Sequence, residues 1–333
     1  MKKRVLILGD IHPDAFRLLR RRFKVRWLKG TPSRSQVERE LKTCQGALVL
    51  IGYRMSREVF RGSPLLECVA NFGVGYDHID VPAARERGIV VTNTPEILTD
   101  ATADIAWALI LACARRIPEG ERMVRKGRFK GWHPKMLLGV DLKGATLGLY
   151  GFGRIGQAVA RRALGWDMKV LYHQRHRAPR AVERATGARR CSFGRLLASS
   201  DVLSVHAPLT PETRGRFGER EFRRMKRSAV FVNTGRGPIH DEKALARALE
   251  EGRLFSAGLD VYEKEPKVLP GLRRLENCVL LPHLGSGTVE TRRKMAVLAA
   301  RNLERVLTGR KALNPVPGGL ERPSPGSKGM HHG

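Results

Sequence analysis

Residues 145–164 read ATLGLYGFGRIGQAVARRAL. An apolar run that predicts a buried strand leads through three glycines into a helical pattern. A G-x-G-x-x-G loop between a strand and a helix is typical of dinucleotide-binding domains. In such a loop Gly151 would permit the tight turn, Gly153 the approach of a pyrophosphate, and Gly156 the packing of helix on strand. Arg154 and Ile155 open the helix, whose free N–H groups are suited to bind the anion.

The end of the next predicted strand, residues 169–172, indicates which dinucleotide is bound. A site for NAD usually has Asp or Glu about 20 residues after the glycine loop, to bind the ribose hydroxyls. This sequence has Gln174 there, followed by Arg175, His176 and Arg177. A carboxylate would repel the 2′-phosphate of NADP, whereas neutral Gln174 and cationic Arg175 would accept it. We therefore predict that NADP(H) is preferred and NAD(H) possible; the alternative is a solvated basic loop.

Short β-rich runs alternate with helical patterns on both sides of this loop, which predicts an α/β fold with parallel sheets. In the first part of the chain the predicted strands are residues 5–8, 24–28, 47–51, 66–71 and 89–92. A long helix is predicted from Thr99 to about Arg116, ended by Pro118 and Gly120.

Six strands are predicted from residue 145 onwards, the number in a complete dinucleotide-binding sheet. They are residues 145–150, 169–172, 201–205, 229–233, 256–260 and 279–281. A terminal helix is predicted over residues 296–307. The tail 314–333 is rich in Pro, Gly and Ser, and we expect it to be disordered.

Three ionisable residues follow the last three predicted strands. Arg236 comes after FVNTG, Glu265 after AGLDVYEK, and His283 after VLLP. In an open parallel sheet, ligands bind outside the carboxyl ends of the strands, so these three side chains are expected to converge.

The residue types indicate a reaction of a 2-oxo or 2-hydroxy acid. Arg236 offers a planar fork of donors to a substrate carboxylate. His283 is suited to protonate a carbonyl oxygen as a general acid while hydride arrives at carbon from the nicotinamide. Glu265, paired with His283, would orient the imidazole and favour its charged form.

The balance of 62 Lys and Arg against 32 Asp and Glu gives a net charge of +30, which raises the question of nucleic acid. The charge is spread along the chain, with no basic arm and no recognition motif, so we predict no nucleic-acid partner. A positive field would also favour the capture of anionic ligands such as a dinucleotide and a carboxylic acid.

The five cysteines are far apart and form no C-x-x-C pair. This spacing argues against a disulfide framework and against a metal site, and it favours the reducing cytoplasm. The longest apolar run, residues 105–114, is half the length that spans a bilayer, so no membrane association is predicted.

Seven stretches in the same order give this chain a resemblance to the D-isomer-specific 2-hydroxyacid dehydrogenase family, from Val5 to about Val316. Within the family it is most similar to glyoxylate/hydroxypyruvate reductases. The stretches are NFGVGYDHID (71–80), VTNTPEILTDATADIAWALIL (91–111), LGLYGFGRIGQAVA (147–160), VHAPLTPET (205–213), NTGRGPIHDEKAL (233–245), AGLDVYEKEP (257–266) and LPHLGSGT (281–288).

The resemblance implies two Rossmann-like or flavodoxin-like domains with the active site in the cleft between them. Residues 1–97 plus 286–318 would form the flavodoxin-like substrate-binding domain. Residues 98–285 would form the NAD(P)-binding Rossmann domain, and residues 319–333 the disordered tail. The family is usually dimeric, with the helix after Leu98 in the interface.

The resemblance also implies roles for single residues. By position, Arg236, Glu265 and His283 match the catalytic Arg, Glu and His of the family. Val74 and Gly75 match the loop whose backbone N–H groups hold the substrate carboxylate. Further positions match residues that line the cofactor: Thr102, His206, Pro208, Thr234, Gly235, Asp260 and Gly285.

The implied function is reduction of glyoxylate or hydroxypyruvate to glycolate or D-glycerate with NAD(P)H. Two alternatives remain open. One is another D-2-hydroxyacid dehydrogenase, acting on D-lactate or phosphoglycerate. The other is a dinucleotide-regulated binding protein, similar to the corepressors that share this fold. Those corepressors also keep the catalytic residues, but the sequence lacks an appended recognition motif.

Overall fold

The computed structural model describes residues 2–320 of the chain. The chain divides into two compact units, each built around its own parallel sheet. One unit combines the residues up to Leu98 with those from Thr288 onwards, and the other is Thr99–Gly287.

The first unit contains a five-stranded parallel sheet. Its elements in chain order are β1 Arg4–Leu8, α1 Pro13–Leu19, β2 Lys24–Leu28, α2 Arg34–Leu41, β3 Gly46–Val49, α3 Arg57–Arg61, β4 Cys68–Asn71, α4 Val81–Glu86 and β5 Val90–Thr92. The strand order is β2-β1-β3-β4-β5, the flavodoxin-like order. Strands β3, β4 and β5 are buried throughout, as expected of parallel strands covered on both faces.

The second unit contains a seven-stranded parallel sheet. Its elements are α5 Thr99–Ala114, α6 Ile117–Arg125, β6 Thr146–Tyr150, α7 Arg154–Ala163, β7 Lys169–His173, α8 Arg180–Thr186, β8 Ala188–Arg190, α9 Phe193–Ser199, β9 Val202–Val205, α10 Glu219–Arg224, β10 Val230–Asn233, α11 Glu242–Glu250, β11 Ser256–Leu259, α12 Pro270–Arg274 and β12 Cys278–Leu280. The order β12-β11-β10-β9-β6-β7-β8 places β6 next to the point where the strand order reverses, which is where doubly wound sheets bind dinucleotides. The last helix, α13 Val289–Leu307, returns to the first unit and packs against α1 and β4.

The fold class is confirmed, and three details of the prediction are wrong. The second sheet has a seventh strand, β8, whose sequence Ala-Arg-Arg has no apolar pattern because it forms an edge of the sheet. Pro118 does not end the long helix: Arg116 does so with a left-handed backbone (φ +50°), and Pro118 lies in the first turn of α6.

The predicted tail also begins too early. The Val316 side chain is buried and its N–H donates to the carbonyl of Val91, so this stretch is held against the sheet of the first unit. The remainder of the predicted tail, from residue 321, lies outside the described residues. Among residues 2–320, none of the helices combines the length and the hydropathy that a membrane span requires.

Candidate active site

The glycine loop joins β6 to α7 and leaves room for a ligand. Gly151 has φ +93°, and a Cβ there would lie 2.6 Å from the backbone nitrogen of Ala207. A Cβ on Gly156 would lie 2.4 Å from the Gly151 carbonyl oxygen, so helix and loop meet too closely for a side chain. At Gly153, the N-cap of α7, a Cβ would meet nothing within 4 Å. This backbone therefore fits a pyrophosphate placed over the first N–H groups of α7.

Polar side chains at the end of β7 lie beside this loop. The Oε1 of Gln174 accepts a hydrogen bond from the Phe152 backbone N–H at 3.1 Å, so Gln174 holds the glycine loop. The Nε of Arg175 donates to Nε2 of His176 at 2.9 Å. Arg175 and His176 are both exposed and available to an anionic ligand.

Arg177, the third basic residue here, is engaged elsewhere. Its guanidinium donates twice to the Glu183 carboxylate, with an Nη2–Oε2 distance of 2.9 Å. The same carboxylate accepts from the Tyr172 hydroxyl at 2.6 Å, and these hydrogen bonds lower the pKa of Glu183. Arg177 therefore fastens the loop to α8 through its Nε and Nη2 groups.

His206 lies at the end of β9 as a neutral side chain. Burial of its ring lowers its pKa to about 3. Its Nε2 lies 2.9 Å from the Ser204 hydroxyl and its Nδ1 lies 3.3 Å from the Thr234 hydroxyl. Gly235 and Pro208 are held in neighbouring turns, Gly235 by the Asn233 side chain and Pro208 by the Thr213 hydroxyl.

His283 and Glu265 form a hydrogen-bonded pair. Nδ1 of His283 lies 2.8 Å from Oε2 of Glu265, and each side chain is 33% exposed. Because a carboxylate accepts, Nδ1 carries the hydrogen and Nε2 is the ring nitrogen left to exchange a proton with a ligand. Burial by itself would raise the pKa of Glu265, but His283, the Tyr262 N–H and the charge of Arg236 together bring it below its ordinary value.

Arg236 follows β10 and is close enough to Glu265 to influence that carboxylate. Its Nη1 donates to the carbonyl of Gly235 at 2.9 Å, and this hydrogen bond fixes the position of one nitrogen of the guanidinium group. The Asn233 side chain donates to the Arg236 carbonyl at 2.9 Å and to the buried imidazole of His240, whose pKa burial lowers to about 4. The turn that carries Arg236 is therefore stabilised by the hydrogen bonds of Asn233 to the Arg236 carbonyl and to His240.

The backbone of His283 is left-handed, with φ +56°. This conformation is unfavourable for most residues other than glycine and needs support from its surroundings. The Asp260 carboxylate supplies that support by accepting from the N–H groups of Leu284 at 2.6 Å and Gly285 at 2.8 Å. Gly285 in turn lies so close to Thr102 that a Cβ would be 3.3 Å from its methyl group.

Replacing Asp260 by alanine is expected to lower the free energy of unfolding by about 1–3 kcal/mol, because two backbone N–H groups lose their acceptor. Asp260→Asn keeps one acceptor oxygen and is expected to lose less. Denaturant titrations of the three proteins would measure this order. Equal stability of wild type and Asp260→Ala would contradict the supporting role of the carboxylate.

Val74 and Gly75 lie in the first unit, in the loop after β4. Asn71 donates to the carbonyls of Gly73 and Gly75, and Asn93 donates to the carbonyl of Val74 at 2.8 Å. Within residues 2–320, no hydrogen bond is found for the N–H of Val74 or of Gly75. The carbonyls are thus fixed while both N–H groups stay available to an anion.

Within the second unit, the structure brings Glu265 and His283 together at the carboxyl ends of the strands, with Arg236 near the carboxylate. Sequence reasoning missed the asparagines that hold the loops of Val74–Gly75 and of Arg236, which are Asn71, Asn93 and Asn233. Each is an amide at or just beyond the end of a buried strand, which was the available signal. The carboxylate of Asp260, which the resemblance places along the cofactor, accepts hydrogen bonds from the His283 loop, and its role toward the cofactor stays a prediction.

Residues 107–285 match the protein-family model described as "D-isomer specific 2-hydroxyacid dehydrogenase, NAD binding domain". The chain belongs to the D-isomer-specific 2-hydroxyacid dehydrogenases. It is 45% identical over 309 residues to the glyoxylate reductase of Thermococcus litoralis, covering 91% of this chain and 93% of that protein. It is 46% identical over 308 residues to the glyoxylate reductase of Korarchaeum cryptofilum, covering 91% and 92%.

Solved structures of this dehydrogenase family have the same fold. The NADPH-dependent glyoxylate/hydroxypyruvate reductase of Sinorhizobium meliloti, in complex with NADP and malonate, is 35% identical and gives a TM-score of 0.88, covering 97% of this chain and 99% of that chain. The predicted family and its oxidoreductase class, acting on CH–OH donors with a nicotinamide dinucleotide, are confirmed. The roles of single site residues stay predictions.

Proposed function

We propose that this dehydrogenase reduces glyoxylate and hydroxypyruvate to glycolate and D-glycerate. The observation that carries the proposal is the His283–Glu265 pair, which holds a proton-donating imidazole beside Arg236 in a dinucleotide-binding unit. The relatives named glyoxylate reductase support the substrate class.

Arg236 binds the substrate carboxylate through its guanidinium fork. In the first unit, the unbonded N–H groups of Val74 and Gly75 are proposed to bind a carboxylate. The first unit is thus proposed to contribute to substrate binding, and Thr99–Gly287 to hold the cofactor together with Arg236, Glu265 and His283. A nicotinamide dinucleotide, when bound, supplies the hydride that reduces the carbonyl carbon. His283 gives its Nε2 proton to the carbonyl oxygen as the C=O π bond breaks, and Glu265 stabilises the imidazolium. The products are the 2-hydroxy acid and a neutral His283.

The test is a substrate panel. Purified protein is mixed with NADPH or NADH and with glyoxylate, hydroxypyruvate, pyruvate or 3-phosphohydroxypyruvate, and loss of reduced-nicotinamide absorbance gives kcat/KM. Glyoxylate and hydroxypyruvate are expected to give the highest values. Higher kcat/KM for pyruvate or the phosphorylated acid would assign the enzyme to D-lactate or phosphoglycerate chemistry, and no turnover would contradict a reductase.

We propose that NADP(H) is the preferred cofactor. The support is the absence of a carboxylate at the end of β7, where Gln174 and exposed Arg175 stand, together with the NADP bound by the Sinorhizobium relative. A carboxylate at this position would repel a 2′-phosphate, whereas a guanidinium binds it.

Arg175→Ala is expected to raise the KM for NADPH about tenfold and to change that for NADH by less than about twofold, because only NADPH carries the 2′-phosphate. Steady-state kinetics with both cofactors measures the difference. Arg180→Ala, which removes a nearby exposed arginine, is the matched control. Equal losses for the two cofactors would refute the role of Arg175.

We propose that the protein is a homodimer. Several apolar side chains between residues 117 and 138 are exposed, including Val124, Phe129 and Trp132, the last 79% exposed. Exposed apolar side chains on and after α6 are suited to burial in a protein interface. Light scattering that gives the mass of one 37.2 kDa chain would contradict the dimer.

A reducing compartment such as the cytoplasm is also proposed. All five cysteines are unpaired, which suits a reducing environment.

A further inference from the structure

Arg190 is the last residue of the edge strand β8, opposite Tyr172 of β7. Its guanidinium reaches over the end of β7, where Nη2 donates to the carbonyl of Gln174 at 3.2 Å and to that of Arg175 at 2.9 Å. The preceding residue, Arg189, is also exposed but makes no hydrogen bond with its side chain among the described residues.

These two contacts change the electrostatics of the β7 end. Carbonyl oxygens carry the negative ends of the peptide dipoles, and two of them exposed beside a 2′-phosphate would oppose its binding. A guanidinium that donates to both neutralises them and adds a positive charge. It also fixes the backbone from which the Arg175 side chain starts.

The hydrogen bonds of Arg190 lead on, through Gln174, to the glycine loop. Gln174, whose carbonyl is bound by Arg190, accepts from the Phe152 N–H through its side chain. Arg190 therefore acts on both parts of the dinucleotide site through one segment, residues 174–175, although it ends a strand that carries no sequence motif.

We infer that Arg190 is a positioning residue that gives this enzyme its preference for a 2′-phosphorylated dinucleotide, by holding the Gln174–Arg175 backbone and neutralising its carbonyls. The inference rests on the proposed NADP(H) preference. It assigns selectivity to a contact between a side chain and the backbone, one strand away from the arginine that would meet the phosphate.

The experiment measures binding of adenosine 2′,5′-bisphosphate and of ADP by calorimetry, without turnover. Arg190→Ala is expected to weaken the bisphosphate about tenfold and ADP by less than about threefold. Arg190→Lys keeps a cation with several donors and is expected to stay within about threefold of wild type for both ligands. Arg189→Ala removes the same charge one residue away, and little change is expected.

Two results would overturn the inference. Equal weakening by Arg190→Ala and Arg189→Ala would mean that only diffuse charge matters, and equal weakening of both ligands by Arg190→Ala would mean a general structural role. Thermal unfolding of Arg190→Ala and Arg190→Lys confirms that folded proteins are compared. If Arg190→Ala does not fold, Arg190→Gln replaces it, with the same outcomes.

The proposed NADP(H) preference is tested separately in the same series. If Arg175→Ala weakens adenosine 2′,5′-bisphosphate no more than it weakens ADP, the cofactor proposal fails and the inference about Arg190 with it. If Arg175→Ala weakens the bisphosphate selectively while Arg190→Ala does not, the cofactor proposal stands and only the inference about Arg190 fails.

Discussion

Replacing His283 by alanine is expected to lower kcat by about 10²–10⁴-fold, because the carbonyl oxygen then has no general acid when hydride arrives. His283 is held by Glu265 through Nδ1, so the truncation removes a proton donor that was already oriented. Steady-state kinetics at saturating NADPH and glyoxylate measures the loss.

The matched variant is His283→Asn, since asparagine tolerates the left-handed backbone of this position but is no acid at neutral pH. Both variants are expected to lose similar rates while binding NADPH as the wild type does. A His283→Asn protein with wild-type kcat would show that the proton comes from elsewhere. Loss of NADPH binding in both would show that His283 serves the cofactor and not the proton.

Replacing Arg236 by alanine is expected to lower kcat/KM for glyoxylate by roughly 10²-fold. Loss of a charge-assisted hydrogen-bond pair to the carboxylate costs about 3 kcal/mol, which is equivalent to this factor. The effect should fall mainly on the KM for the oxo acid, because the carboxylate is bound in the ground state as well as in the transition state.

Arg236→Lys is the informative control for that change. It keeps the charge but not the planar fork, so it is expected to fall between wild type and Arg236→Ala. An unchanged KM for glyoxylate in Arg236→Ala would refute binding of the carboxylate by this residue. A loss confined to NADPH binding would place Arg236 at the cofactor instead.

The parts of the fold that sequence predicted are those with a strong local signal. Strands such as β1 and β6 are continuous apolar runs because both faces of a parallel sheet are covered. The strand–glycine loop–helix unit at Gly151 was predicted because its close backbone contacts leave no room for a Cβ, and the glycines that this requires are visible in the sequence. Convergence of Arg236, Glu265 and His283 was predicted because carboxyl ends of parallel strands share one edge.

The parts that sequence missed depend on tertiary contacts without a periodic signal. Strand β8 is an edge strand of three residues, two of which are arginines, so its sequence has no apolar pattern that indicates a strand. Arg177 belongs to the same basic run as Arg175, and only the position of Glu183 on α8 shows that it is engaged. A side chain's partner one helix away cannot be obtained from composition or spacing.

The left-handed backbone at His283 narrows the choice of acid that this scaffold can carry. Aspartate and histidine are enriched in this conformation, whereas lysine and tyrosine gain nothing from it and β-branched residues are strongly disfavoured. Of the first two, only histidine has an ordinary pKa near neutrality. An attempt to redesign this enzyme around a proton donor other than the proposed His283 would therefore have to rebuild the turn held by Asp260 before changing the side chain.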